Sequence, residues 1–456
     1  MKSERRASDR QPGGAKQVSP ARFTAFSILR RVEEENAFAS VLLAAGTEHL
    51  SAEDRALCYE LVLGVLRWQL WLDALIQNFS GRSPSKLDAP VRLALRLGLY
   101  QLRKLSRVPA SAAVNESVNL VKWSRLRSAE GFVNAVLRRA ARESEFDPAT
   151  GISDAIERIS IETSHPHWLV KRWVDSLGSD EARKFAEANN NPPPVAFRIN
   201  TNLADASEVV GELERAGAVV TSSQVSPEAW RVEGASALVR NFAQTGRIYL
   251  QDEASQLVAH VVGARAGERI LDLCAAPGSK STHIAQLSGN QARIVACDIH
   301  EHRLRTVLEG SARQQAKLSG AIVMDALAML PFPDERFDRV LVDAPCTGTG
   351  TLRRNPEIRW RIRPSDLEDL PRRQQRILSN ASLAVRSGGR LVYSTCSVEE
   401  EENESVVSAF LNEHEDYRQI RVDVPGQLLL PDGSARTWPQ RDGADGFFVA
   451  AFERRR

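Results

Sequence analysis

The sequence contains no run of about 18 apolar residues able to span a bilayer as a helix, and its polar, basic beginning lacks the apolar core of a signal peptide. A helical membrane protein and a secreted precursor are both excluded on these grounds, and the expected compartment is the cytoplasm, with no membrane partner. Cysteine is scarce. Cys58, Cys274, Cys297, Cys346 and Cys396 are five in 456 residues, and no two stand at C-x-x-C spacing. That pattern suggests neither a disulfide framework nor a zinc site, so no metal is expected. A dominant charge sign is also missing, with 60 Lys and Arg against 58 Asp and Glu, a net charge of +2. Affinity for nucleic acid must therefore come from local patches. Finally, there is no G-x-G-x-x-G after a strand and no Walker loop, which excludes the two common pyrophosphate cradles.

What remains is a globular composition, 43% hydrophobic and 26% charged, long enough for two or three domains. Residues 1–19 are rich in Arg, Ser, Gly and Gln without apolar periodicity and read as a disordered basic arm. Residues 20–145 read as an all-helical domain. Phe23, Phe26, Leu29 and Val32 share one face, Ser51 and Asp54 form a capping pair before a long apolar helix, and Leu93, Leu97 and Tyr100 follow Pro90 on a stripe. Its polar faces carry Arg92, Arg96, Arg103, Lys104, Arg107, Lys122, Arg125, Arg127, Arg138, Arg139 and Arg142. Helical spacing can gather these into a phosphate-binding face, or leave them as a solvated surface. Residues 146–254 alternate helices with strand-like runs, a small α+β module; His165 and His167, flanking a proline, serve its turn.

The most informative stretch is Glu268 to Lys280, E-R-I-L-D-L-C-A-A-P-G-S-K. Ile270, Leu271 and Leu273 describe a strand buried in a parallel sheet. Ala275, Ala276 and Gly278 then remove side-chain bulk, and helical spacing resumes with Ile284 and Leu287. Strand, tight small-residue turn and helix N-terminus together make an anion or cofactor site. Arg293–Cys297, Ala321–Val323, Phe337–Val342 and Gly389–Tyr393 continue as short strands with helices between, so residues 255–456 read as an α/β Rossmann-like domain with a parallel sheet. Asp298, Asp325 and Asp343 end or follow strands, where such a sheet binds its ligand. Asp298 stands about 20 residues past Gly278, the offset of an acid on ribose hydroxyls. Cys346, in D-A-P-C-T-G-T-G, and Cys396, in Y-S-T-C-S, lie in loops at strand ends, whereas Cys58, Cys274 and Cys297 read as buried small hydrophobes.

With these motifs in hand, the chain resembles the S-adenosylmethionine-dependent RNA 5-methylcytosine methyltransferases. C-A-A-P-G-S-K at Cys274–Lys280, D-A-P-C-T-G-T-G at Asp343–Gly350, and Tyr393–Ser397 ahead of E-E-E-E-N-E carry the resemblance. G-R-I-Y-L-Q-D-E-A-S-Q at Gly246–Gln256 and D-G-F-F-V-A at Asp445–Ala450 extend it. The helices holding L-G-V-L-R-W, L-R-L-G-L-Y-Q-L and F-V-N-A-V-L-R-R resemble the NusB-like domain of the bacterial 16S ribosomal RNA branch (RsmB/Sun). The chain has Ser279 and Thr347 where that family commonly has Gly and Ser.

The resemblance implies that Cys396 adds to carbon 6 of a cytosine in 16S ribosomal RNA and that Asp343 contacts the base edge near ring nitrogen 3. It further implies that Cys346 assists release and that Lys280 positions substrate or cofactor. S-adenosylmethionine would lie along Cys274, Ala275, Ala276, Pro277, Gly278, Ser279 and Lys280, with Asp298 on the ribose, Asp325 near the adenine and Asp343 close by. Arg353, Arg354, Arg359, Arg361 and Arg363, with Trp360 among them, would grip flanking RNA. The alternatives are a transfer RNA cytosine-5 methyltransferase and a non-catalytic RNA-binding assembly or antitermination factor.

Overall fold

The structure is a computed structural model and describes residues 18–456. The expected basic arm thus lies almost entirely outside the described residues. The chain forms two compact units, one running up to Ala186 and including 355–357, the other holding 187–354 and 358–456.

The first unit is helical. Helices at Pro20–Glu34, Ala39–Gly46, Ala52–Arg67, Gln69–Ser80, Ala89–Lys104, Ala110–Trp123 and Glu130–Arg142 enclose one core that includes Phe26, Leu29, Leu61, Leu72, Leu95 and Leu137. Ser51 caps the third of these by accepting the Asp54 amide, as the sequence suggests. That helix meets Ala89–Lys104 at Gly64, where an added Cβ would stand 2.0 Å from the Tyr100 ring. Helices at Ala155–Thr163 and His167–Leu177 also belong to this unit. The sequence pattern by itself groups them with the strands that follow. They join the first unit because the Ser164 hydroxyl accepts the Leu70 and Trp71 amides at 2.9 and 3.4 Å, and the Trp71 indole donates to Asp147. His165, in the turn between the two, is buried, bonds Thr163 through Nδ1 and stacks edge-on against Trp173.

The second unit opens with four short strands, β1 (Val195–Ile199), β2 (Val219–Ser222), β3 (Ala229–Glu233) and β4 (Ile248–Leu250), in an antiparallel sheet ordered β2-β3-β1-β4. Helices Ala206–Arg215 and Ser236–Thr245 cover one face over Phe197, Ile199, Val232 and Ile248. A larger sheet follows from β5 (Arg269–Asp272), β6 (Arg293–Asp298), β7 (Gly320–Val323), β8 (Phe337–Asp343), β9 (Val385–Thr395), β10 (Tyr417–Ile420), β11 (Ala435–Thr437) and β12 (Phe447–Arg454). Its order is β10-β12-β9-β8-β5-β6-β7, with β11 beside β12.

β5 to β9 are mutually parallel, as expected from the strand-helix alternation, but β12 runs antiparallel to β9, and β10 and β11 each pair antiparallel with β12, which makes the sheet mixed. Apolar runs report burial, not direction. β12 pairs with the outer edge of the second half of β9, Phe448 opposite Thr395 through Glu453 opposite Arg390. Chain order reverses beside β5, with β6 on one side and β8 on the other. That switch point opens a crevice at the carboxyl ends of the strands.

Candidate active site

β5 ends in Asp272 and delivers Cys274 to Gly278 into the crevice. Gly278 adopts φ +99° as the N-cap of helix Ser279–Leu287, and a Cβ there would sit 3.1 Å from Val307. Only glycine tolerates both the dihedral and the approach. The turn closes on itself through the Gly278 amide on the Ala275 carbonyl at 2.7 Å. Lys280, in the first turn of the helix, is buried and reaches Asp343 at the end of β8, Nζ to Oδ2 2.7 Å. The other Asp343 oxygen accepts the Ser394 hydroxyl from β9 at 2.8 Å. Burial works against the Lys280 ammonium, but Asp343, with Cys396 and Asp272 near, holds it above its usual value. Lys280 therefore keeps its charge.

Loops after β8 and β9 bring the two candidate cysteines together, Sγ to Sγ 3.3 Å. The hydrogen bond to Cys396 and then burial hold the Cys346 thiol well above the ordinary range, so this sulfur keeps its proton. Glu402 fixes the β8 loop from below. It is fully buried, accepts the Thr347 amide at 2.8 Å and Gln374 at 3.0 Å, and bonds the Thr347 hydroxyl. The Gly350 amide meets the Cys396 carbonyl at 3.0 Å, and the Gly446 amide meets the Gly350 carbonyl at 2.8 Å, tying this loop to both β9 and the approach to β12. Thr347 uses its hydroxyl for Glu402 and for Ser397 at 3.1 Å.

Asp298 is buried at the end of β6. One oxygen accepts the His300 amide at 2.9 Å and the other lies 3.5 Å from Arg303. It stands opposite Val323 in the β6/β7 register, two residues before Asp325. Asp325 is exposed, accepts the Leu327 amide at 2.9 Å and lines a cleft with Leu327, Ala328, Arg372, Arg373 and Arg376. Burial raises both the Cys274 and Cys297 thiols, the latter to about 12, and Cys58 likewise to about 12, which leaves these three unreactive.

Whether a small carboxylate-bearing cofactor suits this crevice can be judged from the polar atoms it leaves. Asp272 is completely buried; Ser281 donates to its Oδ2 at 2.6 Å and the Cys274 amide lies near the carboxylate, but its Oδ1 receives no hydrogen bond of good geometry. A buried oxygen beside a small-residue cradle calls for a donor such as an ammonium. Sequence reading missed Asp272 because an acid at a strand end usually caps the next helix. Its signal is that it precedes the turn by too many residues to cap Ser279–Leu287.

Over residues 259–453 the chain matches the model of the 16S rRNA methyltransferase RsmB/F family. It is 35% identical to the "Probable ribosomal RNA small subunit methyltransferase B" of Bacillus subtilis over 441 residues, covering 94% of this chain and 98% of the relative. The chain belongs to the RsmB/F family of ribosomal RNA methyltransferases. A Synechocystis relative of the same printed name is 36% identical over 448 residues, covering 94% of this chain and 98% of that one. Two further models match: NusB at 19–142 and the RsmF/B-like ferredoxin-like domain at 165–238. Among solved structures, that titled "Crystal Structure of PH0851" superposes with TM-score 0.83 at 29% identity, covering 97% of this chain and all of that one.

One expectation about this RsmB/F family member is overturned. Arg353 and Arg359, read as RNA-gripping residues, are buried. Arg353 pairs with Asp445 at 2.5 Å and Asp252 at 3.4 Å, and Arg354 pairs with the same two acids at 2.6 and 2.7 Å. Arg359 donates to Asn190 at 2.9 Å and to the Asn189 carbonyl. A guanidinium spent on buried carboxylates and carbonyls holds the fold together and is not presented to a phosphate. Similarly, Arg96 on the helical unit is buried against Asp73 at 2.7 Å.

Proposed function

We propose that the chain transfers a methyl group from S-adenosylmethionine to carbon 5 of a cytosine in 16S ribosomal RNA through a covalent cysteine–cytosine intermediate. The observation that carries this reading is the approach of Cys346 and Cys396 to 3.3 Å beside the Lys280–Asp343 pair. Carbon 5 of cytosine is a poor nucleophile, so a sulfur must first add to carbon 6 and push electron density toward carbon 5. Cys396 supplies that sulfur. Asp343 and Lys280 face the same end of the sheet, the Lys280 ammonium donating to Asp343 across 2.7 Å, and this pair presents a donor to ring nitrogen 3 as negative charge develops.

S-adenosylmethionine supplies an electrophilic methyl group. The turn Cys274–Ser279 would hold its amino-acid end against backbone, Asp272 would accept from its ammonium, and Asp298 and Asp325 would serve its ribose and adenine. After transfer, the proton on carbon 5 must leave before the Cys396–carbon 6 bond breaks. Cys346 touches that sulfur and assists this step. A thiol cannot reach carbon 6 of a stacked base, so the target cytosine must be unstacked or flipped.

Incubation with 16S RNA and methyl-labelled S-adenosylmethionine tests the proposal. Wild type is expected to place label in 5-methylcytosine and Cys396→Ala none, while Cys346→Ala accumulates a denaturation-resistant protein–RNA adduct. Normal methylation by Cys396→Ala would reject the nucleophile, and label only in transfer RNA would reject the substrate.

A further inference from the structure

Away from the cysteine pair, three side chains converge that the proposed reaction does not use. Glu228 sits in the turn before β3, in the left-handed conformation at φ +60°. His260 lies near the end of helix Glu253–Val262 and His283 in the middle of helix Ser279–Leu287. One donor atom of each lies within 4.8 Å of those of the other two. The imidazoles meet edge to face, centroids 5.2 Å apart at 89°. His283 is fully buried, yet neither ring nitrogen has a hydrogen-bond partner, and His260 Nε2 is likewise buried and unpartnered.

A buried imidazole normally satisfies at least its N–H. Two of them with three unsatisfied nitrogens, a carboxylate at the mouth, and no apolar reason for histidine at either position describe a set of ligands rather than a packing accident. The Pro227 carbonyl, which lies within bonding reach of His260, can fix its tautomer so that Nε2 offers its lone pair. Metal-bound histidines ordinarily have their second nitrogen held this way.

We propose that Glu228, His260 and His283 bind a divalent d-block cation, zinc foremost, with water completing the shell. Two imidazoles and one carboxylate are a zinc donor set with one position left open. The ion pins the turn before β3 to two helices of the larger sheet. His283 lies one turn beyond Lys280 on the helix that opens at the small-residue cradle, so occupancy stiffens the base of that cradle. The proposal does not depend on the methyl-transfer reading.

The test uses the full chain without a polyhistidine tag. After chelation and dialysis, Co2+ is titrated in while visible absorption is recorded, and metal content is measured on protein exchanged into Zn2+. Wild type is expected to show the d–d bands of a four- or five-coordinate ion saturating at one equivalent, and a melting temperature that rises with metal concentration. Glu228→Gln and His260→Ala should each weaken binding at least about tenfold, since even outer-shell partners are worth that much. Glu228 is exposed, so its substitution leaves the core intact and a loss there is not misfolding. Absence of these bands in folded wild type would overturn the site, as would bands that persist unchanged in both variants.

Discussion

Asp272 is the residue at which burial and chemistry are most directly opposed. Burial, and then the neighbouring Asp343 charge, push its carboxyl up to about 7 despite the Ser281 bond and Lys280. An unfolded aspartate titrates near 3.9. Between those values the folded state holds more protons than the unfolded state, so stability is fullest below about pH 4 and declines as pH rises through about 7. Asp272→Asn keeps the acceptor for Ser281 and cannot ionise. Its stability relative to wild type should therefore grow by up to roughly 4 kcal/mol across that window and stay constant above it. Urea titrations without cofactor at several pH values measure this; a pH-independent difference would mean that Asp272 ionises normally. Cys346, Cys396, Asp343 and the Cys274–Lys280 turn stand out as candidates from the sequence alone, because each sits in a motif of small residues with no packing purpose. Glu402 was hidden by its neighbours. In a run of four glutamates any one reads as solvated, and only the fold shows that Glu402 turns inward while Glu400 stays exposed.

Individual elements are held in register by a few contacts that admit little change. The loop after β8 and the approach to β12 pass so closely that a Cβ on Gly350 would fall 1.9 Å from the Gly446 carbonyl. The Gly446 amide bonds Gly350, so neither strand of chain can retreat without breaking that bond. Gly350→Ala is expected to displace the Cys346 loop and reduce methylation at least about tenfold, while circular dichroism stays near wild type. Unchanged turnover would show the loop to be more compliant than its packing. Arg198 on β1 plays the corresponding part for the small sheet. Fully buried and without an acid, it donates to Thr282 at 2.9 Å, Gln314 at 2.6 Å, Gln286 and Gln251. Burial lowers its pKa only to about 10, so it remains charged at neutral pH. A lysine cannot reproduce the fork, and Arg198→Lys should cost about 3 kcal/mol by leaving buried acceptors unpaired. A loss below about 1 kcal/mol in urea unfolding would refute that role.

At the scale of the whole molecule, charge is distributed unlike its sequence suggests. Several arginines of the locally basic segments are consumed internally, Arg96 by Asp73 and Glu33, Arg92 by Glu33, and Arg353 and Arg354 by Asp252 and Asp445. Arg107, Arg125, Arg127, Arg138 and Arg142 of the helical unit are exposed instead. If these meet RNA phosphates, replacing any one by Gln should weaken binding about equally for unrelated sequences and reduce the salt slope of log K by about 1. Arg96→Gln should instead lower stability and leave the slope unchanged. Filter binding at several salt concentrations separates the two classes, and equal slopes for all variants would move the RNA contact off this face.

The sequence by itself determined the helical, mixed and α/β order of the chain and the places of its small-residue turn and its two cysteine loops. Those properties follow from local periodicity, from glycine and proline, and from reactive side chains that nothing else requires. Tertiary structure alone decided strand direction beyond β9, the attachment of helices Ala155–Thr163 and His167–Leu177 to the first unit, and which arginines are buried. It also decided the meeting of Glu228, His260 and His283, which are 32 and 23 residues apart in the chain (260 − 228 and 283 − 260). Each of these depends on which distant surface a side chain meets, and a one-dimensional pattern carries burial and period but no record of the partner.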